Sequence, residues 1–250
     1  HCLLRRQRQM CIRDRFYPVQ STDVLIDDCV AIGASDAGIY VGQSERIKVL
    51  NSVARYNVSG FEIENSFYAE VIGNTSEHNT GGILIFDLPD LPQQGGHDIL
   101  VANNIVRNND TDNFSPEGNI VGNTPNGTGI MVMANQFVEI RDNQIKNNAT
   151  AGILIASYQD EAEDKNYNPI ASNIFIHGNF LKNNGFDVDT IRAKPISDVI
   201  DGKAPDIIWD GVVPLIEWIG LKSSKRIILG DNYTDSVSYT HLTLPTKQAV

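Results

Sequence analysis

The chain has 250 residues, enough for one large domain or two small ones, and its hydrophobic fraction of 41% is ordinary for a globular protein. Its formal net charge of −11 argues against nucleic acid and anionic membranes as partners, because an acidic surface repels both. No stretch approaches the roughly 20 consecutive apolar residues that a membrane-spanning helix needs.

Both ends of the sequence are predicted to be foreign to the natural protein. Residues 10–14 (MCIRD) and 237–241 (VSYTH) can be encoded by one DNA element read in opposite directions, which resembles a sequencing adapter at the two ends of a metagenomic fragment. We therefore assign residues 1–15 and 237–250 to adapter artefact and residues 16–236 to a single domain. Of the three cysteines, Cys29 alone lies in this domain, which excludes an internal disulfide there.

Two short motifs alternate along the domain. The first is an alternating triplet with apolar first and third residues, followed by a small polar residue and then by a second Asn. It occurs as Val24-Leu25-Ile26 with Cys29, Ile47-Lys48-Val49 with Ser52 and Asn57, Ala69-Glu70-Val71 with Asn74 and Asn79, Ile99-Leu100-Val101 with Asn104 and Asn109, Val138-Glu139-Ile140 with Asn143 and Asn148, Ile174-Phe175-Ile176 with Asn179 and Asn184, and Ile227-Ile228-Leu229 with Asn232. The second motif is a glycine that leads alternating apolar residues, at Gly38, Gly60, Gly82, Gly129 and Gly152.

The glycines recur about every 22 residues with one interval twice as long, which is typical of a solenoid that carries an insertion. Short alternating runs rich in Ile and Val predict strands with one buried face. The connections are too short for crossover helices, so parallel strands joined by turns must coil. The sequence thus predicts an all-β fold, a right-handed parallel β-helix of about six to seven coils with long loops on one face.

Stacked coils place equivalent residues above one another, so the repeated Asn residues are predicted to form ladders along the turns. The leading glycines are expected where the backbone needs an unusual φ. The predicted ladder residues are Asn74, Asn104, Asn143, Asn179, Asn79, Asn109, Asn148 and Asn184.

With these motifs, residues 24 to about 233 resemble the right-handed parallel β-helix repeat proteins. That group includes pectate-lyase-like enzymes, mannuronan epimerases and periplasmic proteins of the nitrous-oxide-reductase maturation type. The resemblance implies carbohydrate binding and a bacterial periplasmic or extracellular location. The Asp-Pro-His-Asp motif associated with mannuronan epimerases and the paired aspartates of polygalacturonases are absent from this sequence.

Similar solenoid enzymes that act on uronate polymers carry their catalytic residues on the outward face of the leading strand. Alternation puts Glu139, Arg141 and His177 on that face, with Arg141 and His177 as neighbours on adjacent coils. The resemblance implies that Arg or His takes the proton at C5 of the sugar while a cation or a second Arg neutralises its carboxylate. The alternative is a surface ladder in which Glu139 offsets two neighbouring cations.

Long loops interrupt the period at residues 86–97, 110–127, 157–172 and 186–221, and three of them are expected to overhang the leading strands. Asp87 and His97, in the first loop, are candidate substrate-binding residues. Trp209 and Trp218 either provide a sugar-stacking platform or cover an open coil or the outer face of the strands. The acidic run at 159–164 is compatible with Ca²⁺ but lacks the spacing of a dedicated calcium loop, and no other cofactor is indicated.

The sequence therefore favours binding or processing of an extracellular or cell-envelope polysaccharide, with a uronate lyase or C5-epimerase as the enzymatic form. The alternative is a non-catalytic periplasmic β-helix scaffold or maturation factor. The sequence does not indicate the oligomeric state.

Overall fold

The computed structural model describes residues 16–158, 160–200, 202–213 and 227–234, together with the backbone of two short strands at 11–12 and 240–241. Its strands form three parallel sheets, and each coil visits the three in the same order. The predicted parallel β-helix is therefore confirmed. No described helix is long and apolar enough to cross a membrane.

We name the sheets by their position in the coil. The leading sheet contains β2 (Thr22–Asp27), β5 (Glu45–Leu50), β8 (Phe67–Ile72), β11 (His97–Ala102), β14 (Gln136–Arg141), β17 (Ser172–His177) and β20 (Ile227–Leu229). The short sheet contains β1 (Cys11–Ile12), β3 (Val30–Ile32), β6 (Val53–Arg55), β9 (Thr75–Glu77), β12 (Ile105–Arg107), β15 (Gln144–Lys146), β18 (Phe180–Lys182) and β21 (Tyr233–Thr234). The glycine sheet contains β4 (Ala37–Gly42), β7 (Ser59–Glu64), β10 (Gly81–Phe86), β13 (Thr128–Met133), β16 (Ala151–Ala156), β19 (Ile207–Trp209) and β22 (Thr240–His241).

The hydrophobic core fills the inside of the coil, and each sheet contributes one set of inward-facing side chains to it. On the leading strands the two central inward positions are buried and the outward positions are exposed or half-buried, as in β2 and β5. The glycine strands β4, β7 and β10 are buried at all six positions. The leading sheet therefore has one face toward water, while the glycine sheet is covered on both faces.

Two columns of Asn side chains join successive coils, one on each side of the short sheet. In the first column, the backbone N–H and Nδ2 of Asn74 donate to Oδ1 of Asn104 at 2.9 and 3.1 Å, and those of Asn104 donate to Oδ1 of Asn143 at 2.9 Å. Each Nδ2 also donates to a core-strand carbonyl, as from Asn104 to Val71. Backbone groups that the turns would leave unpaired inside the solenoid are satisfied in this way.

The second column follows the same geometry from Asn57 through Asn79, Asn109, Asn148 and Asn184. The left-handed backbone conformation belongs to the residue before each ladder Asn rather than to the Asn itself. Asn103 and Asn147, for example, have φ of 55°. The ladder Asn is thus selected for its side-chain amide, and its predecessor for its tolerance of positive φ.

The leading glycines are required by a close approach, which differs from the expected unusual φ. A Cβ added at Gly60 or Gly129 would lie 2.9–3.0 Å from the Nδ2 atom of a ladder Asn in the next coil, and within 2.6 Å of the next glycine's carbonyl oxygen. Neither glycine has positive φ. The glycine column and the second Asn ladder are therefore one packing unit.

The described parts of the long loops lie over the outward face of the glycine sheet, whereas the sequence predicted an overhang above the leading strands. Apolar residues from the loops pack with outward residues of the glycine strands in a second hydrophobic cluster. This cluster includes Leu84, Phe86, Leu88, Val121, Met131, Leu154, Ile196, Ala204 and Ile208. The 3₁₀ helix η1 (Ile120–Asn123) and the short helix α1 (Lys194–Ser197) belong to this cover. The physical reason is the apolar outward column of the glycine strands, whose burial is worth about 25 cal/mol per Å².

Candidate functional site

The outward face of the leading sheet brings Arg141, His177 and Glu139 together. Arg141 on β14 and His177 on β17 are direct partners in the strand register. Nε2 of His177 lies 2.9 Å from Oε1 of Glu139, and Nε of Arg141 lies 3.3 Å from the same oxygen. All three side chains are partly exposed, so the cluster is open to a ligand.

Arg141 and His177 each keep unused hydrogen-bonding capacity. Nη1 of Arg141 donates to Asp142 at 2.8 Å, while Nη2 has no partner within the described residues. The His177 ring stacks on Phe175 with ring centroids 4.1 Å apart. When Nε2 carries the proton and donates to Glu139, Nδ1 remains an acceptor. The arrangement can therefore bind an anionic or hydroxyl group at Arg141 beside an oriented imidazole.

Two aromatic rings project from the same sheet in an unusual backbone conformation. Tyr68 and Phe137 are the second residues of β8 and β14, with φ of 54° and 52°, and they are 54% and 53% exposed. The leading strands β2, β5, β11 and β17 have the same left-handed kink, and in β11 and β17 it falls on Asp98 and Asn173, residues that accept it readily. A bulky ring held at positive φ is strained and is often found where a side chain has a function.

The rest of this face carries paired charges. Nζ of Lys48 lies 3.2 Å from Oε2 of Glu70, and Nε of Arg46 lies 2.7 Å from Oδ1 of Asp23. These residues and Tyr68 line a shallow cleft of about 420 Å³. The face is thus an open strip of aromatic rings and ion pairs that crosses the coils.

Comparison with known proteins places the fold in a family. A family model described as the right handed beta helix region matches residues 16–185. The chain belongs to the right-handed β-helix family. No curated protein matches the sequence.

Three solved structures resemble this β-helix at low identity. They are the A-modules of the Azotobacter vinelandii mannuronan C-5 epimerases AlgE6 (16% identity, TM-score 0.33, 93% of this chain and 56% of that one) and AlgE4 (16%, 0.41, 91% and 57%) and an alginate lyase from Paenibacillus sp. str. FPU-7 (13%, 0.38, 85% and 78%). The chain spans a little over half the length of the two epimerase modules.

Asp87 and His97, predicted to bind substrate, lie apart from the Arg141 cluster. His97 opens β11, whereas Arg141 closes β14, so the two stand at opposite ends of adjacent six-residue strands. His97 stacks on Phe67 at 4.5 Å and pairs with Asp98 at 2.7 Å. The Asp87 carboxylate is buried and accepts the N–H groups of Gly95 and Gly96, so it shapes the 86–97 loop of this β-helix.

Trp209 does not offer a stacking platform. It lies on β19 beside Ile155, is 7% exposed and belongs to the hydrophobic core. A ring buried on the inward face has no surface for a sugar. Trp218 lies outside the described residues.

The acidic run at 160–164 does not converge on a cation position. Asp90 instead accepts the backbone N–H groups of Glu163 and Asp164, which ties two loops together. Among the described residues, no three His, Cys, Asp or Glu side chains are grouped to hold a metal.

A buried acidic cluster on the glycine sheet was not found from the sequence. Glu62 lies between Tyr40 and Leu84 of adjacent strands, is 2% exposed, and its Oε2 has no hydrogen-bond partner within the described chain. Burial, with the nearby charges of Glu64 and Asp36, raises the pKa of Glu62 well above its usual range. The sequence does contain a signal for this cluster, because Glu62 and Glu64 are acidic at outward positions that are apolar in most later coils.

Tyrosines connect this cluster to the surface. The Tyr40 hydroxyl donates to Oε1 of Glu64 at 2.6 Å, and the Tyr40 ring stacks on that of Tyr17 with centroids 4.1 Å apart. Burial raises the pKa of Glu64 despite this hydrogen bond. The cluster lies on the covered glycine sheet and is therefore separate from the Arg141 cluster.

Proposed function

We propose that the outward face of the leading sheet binds an extended polysaccharide, with Glu139, Arg141 and His177 as its principal polar contact. The observation that carries the proposal is the pairing of Arg141 with His177 across β14 and β17 around one shared carboxylate oxygen. Spare donors and acceptors beside an oriented ring suit the closely spaced hydroxyl and carboxylate groups of a sugar.

The aromatic rings support the same proposal. Tyr68 and Phe137 are two strands apart on one column, or roughly 10 Å at the usual spacing of strands. Exposed rings at such intervals can pack on two separate sugars of a chain that runs across the coils. Ion pairs such as that of Lys48 with Glu70 leave both partners able to bond hydroxyl groups.

The enzymatic form of the proposal is a lyase or C5-epimerase that acts on uronate polymers. Arg141 would bind the sugar carboxylate and stabilise the negative charge that develops when the C5 proton leaves. His177, held by Glu139, would take that proton at Nδ1. In a lyase, the electron pair left at C5 would form the C4–C5 double bond as the C4–O glycosidic bond breaks, and the leaving oxygen would take a proton from the protonated His177 or from water. In an epimerase, a proton from water would return to the opposite face of C5. Such polymers are found outside the cytoplasm, which is the location we propose for this protein.

The test uses the full chain with alginate, polygalacturonate and neutral dextran. Binding is measured by affinity electrophoresis, lyase products by the ultraviolet absorbance of unsaturated sugar ends, and epimerisation by proton NMR. We expect Arg141→Gln to weaken uronate binding by about tenfold, the effect of one charge-assisted hydrogen bond. The matched control is Arg107→Gln, which removes an exposed arginine paired with Glu77 on the short sheet.

If the Arg141→Gln and Arg107→Gln variants bind the uronate polymers equally well, the proposal that the leading sheet is the binding face is wrong. If the unchanged protein binds the polymer but gives no product in either assay, it binds the polymer without processing it. If it gives product and His177→Gln gives as much, His177 is not the base.

A non-catalytic scaffold is the second candidate, and one observation favours it. Among the described residues, the loops cover the glycine sheet and build no wall beside the Arg141 cluster, whereas proton abstraction from carbon is aided by exclusion of water. A scaffold would bind no member of the polymer panel.

A further inference from the structure

A cavity of about 730 Å³ lies between the glycine sheet and the loops that cover it. Its size falls within the usual range of small-molecule sites. Its walls are η1, the segment around Tyr158 and the α1 region. It is on a different sheet from the Arg141 cluster and shares no residue with it.

The floor of the cavity is apolar. Met131, Leu154 and Ile208 are outward residues of β13, β16 and β19 and are direct neighbours in the strand register. Met133 and Ala156, two residues further along their strands, continue the floor and are partly exposed. Methionine side chains adapt easily to apolar ligands of different shape.

Arg192 lines the wall of the cavity and, within the described chain, has N–H groups that are free to donate to a ligand. Nε of Arg192 donates to the Gly122 carbonyl at 2.8 Å, and Nη1 lies 3.5 Å from Oδ2 of Asp189. These contacts hold the guanidinium in place, and its Nη2 has no partner among the described residues. A planar guanidinium with a free edge is well suited to a carboxylate.

The acidic residues that line the cavity differ in whether their carboxylates are already hydrogen-bonded within the protein. Oδ2 of Asp210 accepts from the N–H and the hydroxyl of Ser157 at 2.6 Å, and Oδ1 accepts from the Val212 N–H at 3.1 Å. Asp210 is therefore satisfied by the protein, while Asp160 is exposed at the rim. Within the described part of the chain, the cavity combines an apolar floor with the positive charge of Arg192.

We propose that this cavity binds a small amphipathic carboxylic acid, with its aliphatic chain on the Met131–Leu154–Ile208 floor and its carboxylate on Arg192. The protein as a whole carries a net charge of −11, so an anion gains nothing from long-range attraction and needs this local contact. The inference does not depend on polysaccharide binding by the leading sheet.

The test is calorimetric titration of the full chain with octanoate and with uncharged 1-octanol. We expect saturable one-to-one binding of octanoate to the unchanged protein. Arg192→Gln should weaken octanoate binding by about tenfold and leave octanol binding unchanged, because glutamine can still donate to the Gly122 carbonyl but lacks the charge.

Ala156→Phe should abolish binding of both ligands by filling the floor. A phenyl ring is accepted at this position of the strand, since Phe86 occupies the equivalent place on β10. Its urea midpoint is measured to show that the fold is retained. Arg107→Gln on the short sheet is the control for nonspecific charge effects and should bind octanoate like the unchanged protein.

The inference is overturned by the absence of saturable octanoate binding below micelle-forming concentrations. It is also overturned if Arg192→Gln binds octanoate as well as the unchanged protein does, or if Ala156→Phe does. Polymer binding by the Arg192 variant should be unaltered, so failure here is distinguishable from failure of the polysaccharide proposal.

Discussion

The outward faces of the leading and glycine sheets are built from the same alternating strands, yet one is open and the other is buried. On the leading sheet, outward positions hold charges and aromatic rings such as Lys48, Glu139 and Phe175. On the glycine sheet, the later coils hold Leu84, Met131 and other apolar residues, and the loops pack on them. The difference shows that in a solenoid the outward residues of each sheet determine which face the inserted loops cover.

The largest expected effect comes from placing a charge on each face in turn. Leu84 is fully buried on the outward face of the glycine sheet, and Leu25 is 47% exposed on that of the leading sheet. We expect Leu84→Asp to lower the free energy of unfolding by roughly 3–5 kcal/mol, through a cavity and an unpaired buried charge. Leu25→Asp should change it by about 0.5 kcal/mol or less. Urea denaturation measures both, and equal losses would contradict the contrast between the faces.

The second prediction compares two glutamates at equivalent outward positions. Glu62 is buried with a raised pKa, while Glu70 on the leading sheet is paired with Lys48 in water. A carboxyl whose pKa is raised by folding stabilises the protein fully below its unfolded pKa, and this contribution is lost as the pH rises through the folded pKa. We expect Glu62→Gln to raise the free energy of unfolding at pH 8 by about 1–3 kcal/mol.

Measurements of urea stability from pH 4 to pH 9 check this sign. The Glu62→Gln variant should lose less stability than the unchanged protein as the pH rises, and Glu70→Gln should follow the unchanged protein closely. A Glu62→Gln variant that is less stable at pH 8 would show that the buried carboxylate has a stabilising partner.

The smallest expected change in stability tests the strained rings of the leading sheet. Phe137→Asn relieves a left-handed conformation worth about 1 kcal/mol and loses the packing of a half-exposed ring of similar worth. The free energy of unfolding should therefore stay within about 1 kcal/mol. Asn173 already occupies the equivalent position of β17, which shows that the backbone accepts this residue.

Polymer binding by the Phe137→Asn variant should fall even though stability does not. Affinity electrophoresis with the best-binding polysaccharide measures the loss. Unchanged binding, together with a stability gain well above 1 kcal/mol, would mean that the ring is a strained surface residue without a role in recognition.

The fold could be predicted from the sequence because a solenoid repeats its signals. The period of the glycines, the alternating triplets and the Asn pairs all indicate one coil, and stacking follows from the short connections. The neighbouring positions of Arg141 and His177 also follow, since register between coils converts sequence spacing into proximity. These features depend on local pattern and on the strand repeat alone.

Other features depend on contacts between coils that a repeat does not reveal. The loops fold over the glycine sheet because the apolar column on its outward face must be buried. The leading glycines are required because an Asn amide from the next coil comes close to their backbone. Trp209 takes the inward position of β19 because strand register, and not residue type, decides the face. Arg192 became a candidate ligand-binding residue only when a distant loop was folded onto the sheet.

The second Asn ladder has a chemical direction with a consequence at Asp206. From Asn57 to Asn148, each Asn donates its backbone N–H and one N–H of Nδ2 to Oδ1 of the Asn in the following coil. Asn184 instead donates both to the carboxylate of Asp206, which holds the place of Gly152 one strand later. The carboxylate of Asp206 occupies the space that the side-chain amide of the next coil's Asn occupies in earlier coils. Unlike that amide, it has no N–H group to donate. Among the described residues, the second ladder thus ends at Asp206, whose carboxylate accepts hydrogen bonds and cannot donate one to a further coil.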